Sequence, residues 1–175
     1  VFVSLPDAHK IAVLDRNESA VIATWSTGDA RANFPMALDP PDNRLFVVCR
    51  HPAVLLVLDT ASGNLIQKLP TVGDSDDLFY DSALKRIYVS GGEGAISVYQ
   101  QQDRDHYSQL AEIKTTPGAR TSLFVPTLNR LFLAVREQQP GVRYTDDLGS
   151  VRRRVGRWHH PIPSLLDATR PETVL

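Results

Sequence analysis

Four copies of one short apolar pattern recur along the chain at nearly constant intervals. They read Val1-Phe2-Val3-Ser4, Leu45-Phe46-Val47-Val48, Ile87-Tyr88-Val89-Ser90 and Leu131-Phe132-Leu133-Ala134. Their aromatic members, Phe2, Phe46, Tyr88 and Phe132, lie 44, 42 and 44 residues apart, and an arginine leads the last three at Arg44, Arg86 and Arg130. The rest of each interval keeps step. A second apolar run follows as Ile11-Ala12-Val13-Leu14-Asp15, Leu55-Leu56-Val57-Leu58-Asp59 and Ile96-Ser97-Val98-Tyr99-Gln100. A third occupies residues 21–27, 65–71 and 110–116, a glycine recurs at Gly28, Gly73 and Gly118, and a fourth run spans 35–39, 78–81 and 122–125. A period of this length governs the architecture, because a unit that small buries its apolar face only against its neighbours.

The runs are rich in Val, Ile, Leu, Phe and Tyr and are bounded by Asn, Asp, Gly and Pro. That is the pattern of short strands joined by hairpins, and helical periodicity is weak as far as residue 135. Four strands in about 44 residues match one blade of a β-propeller, a four-stranded antiparallel sheet of WD40-like size. An immunoglobulin-like sandwich would not require the self-similarity. The expected fold is therefore an all-β propeller. Assigning innermost strand A, then B, C and outermost D, the chain starts at a B strand, passes through two full blades and ends with A and B of another. This is an incomplete ring of about three to four blades, where propellers have about four to eight. Open apolar edges invite pairing with other chains, so the sequence reads as a fragment, the C-terminal portion of a longer propeller.

The units resemble those of the YVTN-repeat (YncE-like) β-propellers. The matching segments are Arg86-Ile87-Tyr88-Val89-Ser90, Leu56-Val57-Leu58-Asp59-Thr60 and Gly28 with Asn33-Phe34-Pro35, and the resemblance covers about residues 1–135. The Asp-Gly turn of that family is replaced by Asp42-Asn43, Leu84-Lys85 and Leu128-Asn129, and the third unit has Gln100 where the family has Asp. The resemblance implies a seven-bladed ring and a periplasmic or extracellular location, although the chain shows no signal peptide of its own.

Composition limits partners. The 175 residues carry a net charge of −1, which gives no strong field toward nucleic acid or an anionic membrane, so nucleic acid is not an expected partner without being excluded. No apolar run reaches the roughly 18 residues of a spanning helix, so membrane insertion is not expected. The single cysteine, Cys49, excludes an internal disulfide framework and a multi-cysteine zinc site. From Arg136 the repeat fades. Residues 1–145 are assigned to propeller blades, with Val142-Arg143-Tyr144 as a residual C strand. Residues 146–175 are assigned to an irregular tail carrying Arg152, Arg153, Arg154, Arg157 and His159-His160. The histidine pair lacks the i, i+4 spacing of a metal helix, so no metal is assigned.

Propeller geometry restricts where a site can lie. D-to-A and B-to-C connections emerge together on one face, and the D-to-A loops reach the mouth of the central channel. This places Asn33, Asp76, Asp77 and Arg120 around the opening, with Arg50, His51 and Glu93 just outside. Such a mixed-charge mouth suits a small ligand; the alternative is that these side chains cap strands and loops. Gly91-Gly92-Glu93-Gly94 lacks the helix and Gly-Lys-Ser/Thr of a phosphate loop and reads as a turn. His106 and Tyr107 fall in a C-to-D connection on the opposite face.

Two functional classes remain. One is a non-catalytic binding or scaffold propeller presenting its loops to a small ligand or a protein, with no cofactor and no catalytic residue assigned. The other is a fragment of a propeller enzyme, lactonase-like or associated with a quinone or metal dehydrogenase, in which His51, Glu93, Asp77 and Arg120 are the groups on hand. The residues favour the first.

Overall fold

The computed structural model describes residues 1–135 and the strand Trp158–Pro161. Residues 142–144, the arginine-rich segment 152–157 and the boundary between 145 and 146 lie outside the described residues.

Fourteen strands form four antiparallel sheets in chain order among the described residues. The first holds β1 (Phe2–Leu5), β2 (Lys10–Asp15) and β3 (Ala20–Ser26). The second holds β4 (Arg31–Asp39), β5 (Arg44–His51), β6 (Ala53–Asp59) and β7 (Leu65–Pro70). The third holds β8 (Ser75–Asp81), β9 (Arg86–Gly91), β10 (Ala95–Gln101) and β11 (Tyr107–Lys114). In the fourth, β12 (Ser122–Val125) pairs with β13 (Arg130–Leu133), which pairs with β14 (Trp158–Pro161). Strand order within each sheet follows the sequence, the meander expected of propeller blades. The strand at the C position of the fourth sheet is thus Trp158–Pro161.

Alternation of side chains across each strand gives every sheet two faces, and consecutive sheets pack through them. Phe2, Ile11 and Trp25 of the first sheet meet Leu45, Val47, Cys49, Leu56 and Leu58 of the second. Phe46, Val48, Leu55 and Val57 on the other face of the second sheet meet Leu78, Ile87, Val89, Tyr99 and Tyr107 of the third. Tyr88, Ile96 and Val98 then meet Phe124 and Leu131 of the fourth. The repeated aromatic position supplies the ring contacts: Phe46 lies 5.1 Å from Tyr80 and 5.5 Å, edge-on, from Tyr107, while Tyr88 lies 5.4 Å from Phe124. Tyr107 is accordingly no loop residue. It is the first residue of β11 and belongs to the core, because the turn before it closes early at Asp103, whose carboxylate accepts the N–H groups of Asp105 and His106 at 2.8 and 2.9 Å.

The turns explain the departures from Asp-Gly. Asn43, Lys85 and Asn129, each immediately before a B strand, adopt φ of 53°, 54° and 47°, the left-handed conformation for which glycine or asparagine is favoured. At the D-to-A joints Gly28 and Gly118 have φ of 69° and 84°, with open space where a side chain would stand.

Candidate functional site at the channel mouth

The inner strands start earlier than the apolar runs suggest. Arg31 pairs with His51 and Ser75 with Gly91, so Asn33 belongs to β4, and Asp76 and Asp77 belong to β8. The register then shifts between Asn33 and Met36 and between Ser75 and Asp77. Such bulges re-aim side chains, and Pro35, which donates no ladder hydrogen bond, sits inside the first of them.

Three of the expected residues come together. The Arg50 guanidinium reaches Asp76 through Nη2 and Asp74 through Nη1, the latter at 3.5 Å, while its Nε donates to the Ser75 carbonyl at 3.0 Å. Arg120, from the next D-to-A loop, pairs with the same two carboxylates: Nη1 with Asp74, and Nε with Asp76 Oδ2 at 2.7 Å. Two guanidiniums and two carboxylates thus alternate in a closed set that joins the end of β5, the start of β8 and the loops before β8 and β12. Asp74, followed by Asp76, holds the Arg120 guanidinium above its ordinary pKa. All four side chains remain partly open to solvent, so the set is a rim feature rather than a buried one. The face of Phe34, itself exposed, lies 4.5 Å beneath the Arg50 guanidinium carbon, a cation–π contact.

The other expected residues act as struts. Asn33 is fully buried and its Nδ2 donates to the Lys10 carbonyl at 2.9 Å, tying the second sheet to the first. Asp77 Oδ2 accepts the Ser122 N–H at 2.5 Å, tying the third sheet to the fourth. Glu93 Oε2 accepts the Gly73 N–H at 3.1 Å. His51 is exposed at the end of β5.

The glycine-rich turn is shaped by the same crowding. A Cβ on Gly92 would stand 2.1 Å from an Asp74 carboxylate oxygen, and one on Gly73 would stand 2.2 Å from Glu93. The Gly92 N–H donates to the Asp74 carbonyl at 2.9 Å. The segment is therefore a packed turn, as its sequence context implies.

Beside Arg120 lies a cleft of about 140 Å³ lined by Gly118, Arg120, Thr121, Ala134 and Val135. Among the described residues no group of three or more His, Cys, Asp or Glu side chains gathers as a metal site. Asp74 and Phe34 complete the mouth but were not singled out in the sequence. Asp74 follows the recurring Gly73 directly, and that adjacency was the available signal.

No family model matches the chain, and no curated protein does. Its backbone is similar to solved structures. Hydrazine synthase of Kuenenia stuttgartiensis shares 22% identity and a TM-score of 0.63 over 75% of this chain and 37% of that one. A 6-phosphogluconolactonase-like protein of Bacteroides uniformis shares 15% identity and a TM-score of 0.65 over 77% and 43%. The Dos1 propeller shares 15% identity and a TM-score of 0.56 over 71% and 33%. The chain spans less than half the length of each, and at these identities the likeness establishes the propeller fold alone.

Proposed function

We propose that the chain is a non-catalytic binding propeller whose loop face, centred on the channel mouth, presents a fixed surface to a small ligand or a protein partner. The observation that carries this reading is the closed Arg50–Asp74–Arg120–Asp76 set. General acid–base catalysis requires a group that can exchange a proton with substrate, whereas these four charges are committed to one another and fix the relative positions of three sheets at this end. Preorganised loops of this kind lower the ordering cost of binding. Asp77 and Glu93, the carboxylates available to the lactonase-like alternative, are likewise engaged by backbone N–H groups. A periplasmic or extracellular site of action belongs to the same proposal and rests on the YVTN resemblance.

The test is site-specific photo-cross-linking in cells expressing the chain, with the cross-linker at exposed His51 on the loop face or at exposed Glu18 on the opposite face. A partner captured from position 51, not from 18, and lost on Arg120→Glu is the expected result. Equal capture from both faces removes the proposal. So does Arg120-dependent hydrolysis of 6-phosphogluconolactone, which would establish the enzyme instead.

A further inference from the structure

An aspartate closes the inner strand of the second sheet and of the third at the same place: Asp39 ends β4, and Asp81, 42 positions later, ends β8. Asp81 caps its own turn, since Oδ1 accepts the N–H groups of Ala83 and Leu84 at 3.0 and 3.3 Å. The turn after Asp39 reads Pro40-Pro41-Asp42-Asn43. Pro41 stands where Ala83 stands and has no N–H to give. Asp39 has no exposed surface, and its Oδ1 has no hydrogen-bond partner among the described residues.

A buried carboxylate is costly unless opposite charge or hydrogen bonds compensate it. Among the described residues no lysine or arginine pairs with Asp39. Lys85 reaches only Asp42, its Nζ 3.4 Å from Oδ2. Arg44, the register partner of Asp39 on β5, is directed at Asp59 and Asp105 instead. What faces Asp39 is a set of oxygens around one amide. Gln101 Nε2 donates to Asp42 Oδ2 at 2.9 Å, to the Tyr107 hydroxyl at 3.3 Å and to Asp39 Oδ2 at 3.5 Å. The amide has two hydrogens for those three acceptors. The Tyr80 hydroxyl donates to Gln101 Oε1, and burial, followed by the neighbouring Asp39 carboxylate, pushes that hydroxyl above its ordinary pKa.

Two carboxylates, two phenolic oxygens and an amide therefore converge from β4 and its turn, β8, β10 and β11. A half-turn of the Gln101 amide brings Oε1 to where Nε2 lies, which makes the set all oxygen. Hard cations take such sets, and calcium fills six to eight positions with water where side chains supply fewer. Asp42, its side chain 29% exposed, stands on the open side of the cluster beside Lys85, so an ion reaches Asp39 from solvent past these two.

We propose that this cluster binds one divalent cation of calcium's size, held by Asp39, Asp42 and Gln101 and flanked by Tyr80 and Tyr107, at the joint between the second and third sheets. The ion supplies the compensation that the Pro40-Pro41 turn withholds from Asp39. It also ties the A-to-B turn of one sheet to β10 and β11 of the next. The third sheet does not repeat the site, because Asp81 is capped and Leu84 stands in the place of Asp42. The site lies at the end of the sheets opposite the channel mouth and is independent of what binds there.

Terbium luminescence on the 175-residue chain, stripped of metal by a chelator and dialysed, tests this. Tb³⁺ accepts calcium's oxygen ligands and emits when excited through an adjacent tyrosine, here Tyr80 or Tyr107. The expected result is saturable emission at one ion per chain, displaced by Ca²⁺ and far less readily by Mg²⁺, which demands a tighter octahedral shell. Asp39→Asn and Asp42→Asn keep the side-chain shape and should each weaken Ca²⁺ binding by about tenfold or more. Asp42 lies on the solvent side, so its variant keeps the native circular dichroism and carries the test even where Asp39→Asn does not fold. Asp29→Asn, which removes an exposed carboxylate elsewhere, leaves Ca²⁺ affinity unchanged. Absence of saturable emission, displacement by Mg²⁺ as readily as by Ca²⁺, or unchanged affinity in Asp42→Asn overturns the proposal.

Discussion

Cys49 lies on β5 with no exposed surface, in the apolar cluster with Ile11 and Ala30 at the joint between the first two sheets. Burial pushes its thiol up to about 11. Because the thiolate is the reacting form, a disulfide reagent at about pH 8 should leave the native chain unlabelled and modify one thiol after denaturation. Rapid stoichiometric labelling of the native chain would contradict the packing. The residue scale is also where sequence reasoning about the site stops. The repeat fixes which loops converge, and Arg50, Asp76 and Arg120 meet there. That Asn33 and Asp77 hold neighbouring sheets together, while Arg120 joins Asp74 and Asp76, depends on contacts between units that no spacing encodes.

Asp59 closes β6 at the level of the element. Its carboxylate accepts the N–H groups of Ser62 and Ala61 at 3.0 and 3.1 Å, the Ser62 hydroxyl at 3.0 Å, and a hydrogen bond from Arg44. The Ser62 N–H foremost, then its hydroxyl, the Ala61 N–H and Arg44, hold the carboxyl below its ordinary pKa against the opposing effect of burial. A folded pKa below the unfolded one stabilises fully above about pH 4 and is lost as pH falls through the folded value. Asp15, held low by the Glu18 and Asn17 N–H groups, repeats the arrangement at the end of β2. Urea midpoints should therefore drop on acidification from neutrality to about pH 3, and Asp59→Asn should flatten part of that drop. An unaltered pH slope would remove the turn from the acid response. Strand existence and order were legible because apolar alternation and the aromatic period are local. The early starts of β4 and β8 were not, because bulged, polar stretches such as Asn33-Phe34-Pro35 and Ser75-Asp76-Asp77 carry no alternation and pair through backbone alone.

At the scale of the whole molecule, side-chain cores and a few polar struts are what hold one sheet to the next. Phe46 stands fully buried in the joint between the second and third sheets, in contact with Tyr80 and Tyr107. Phe46→Ala should cost about 3–5 kcal/mol, read as a shift of the main unfolding transition in guanidinium. An unchanged midpoint would refute the register on which every equivalence above depends. The fold was legible at this scale because the repeat states it four times over. The polar contacts between sheets were not, since each involves residues from two units.

The recurring joint from an outermost strand through Gly28 or Gly118 to the next innermost strand bears on how such a chain changes over generations. Both glycines hold a left-handed backbone with free space around them, so a cut there disturbs no packed side chain. The joint glycines Gly28, Gly73 and Gly118 stand 45 positions apart in successive joints, so an unequal crossover at that period adds or deletes one sheet while preserving the contacts on either side. Copying alone can lengthen or shorten the arc, and later point substitutions then diversify its mouth.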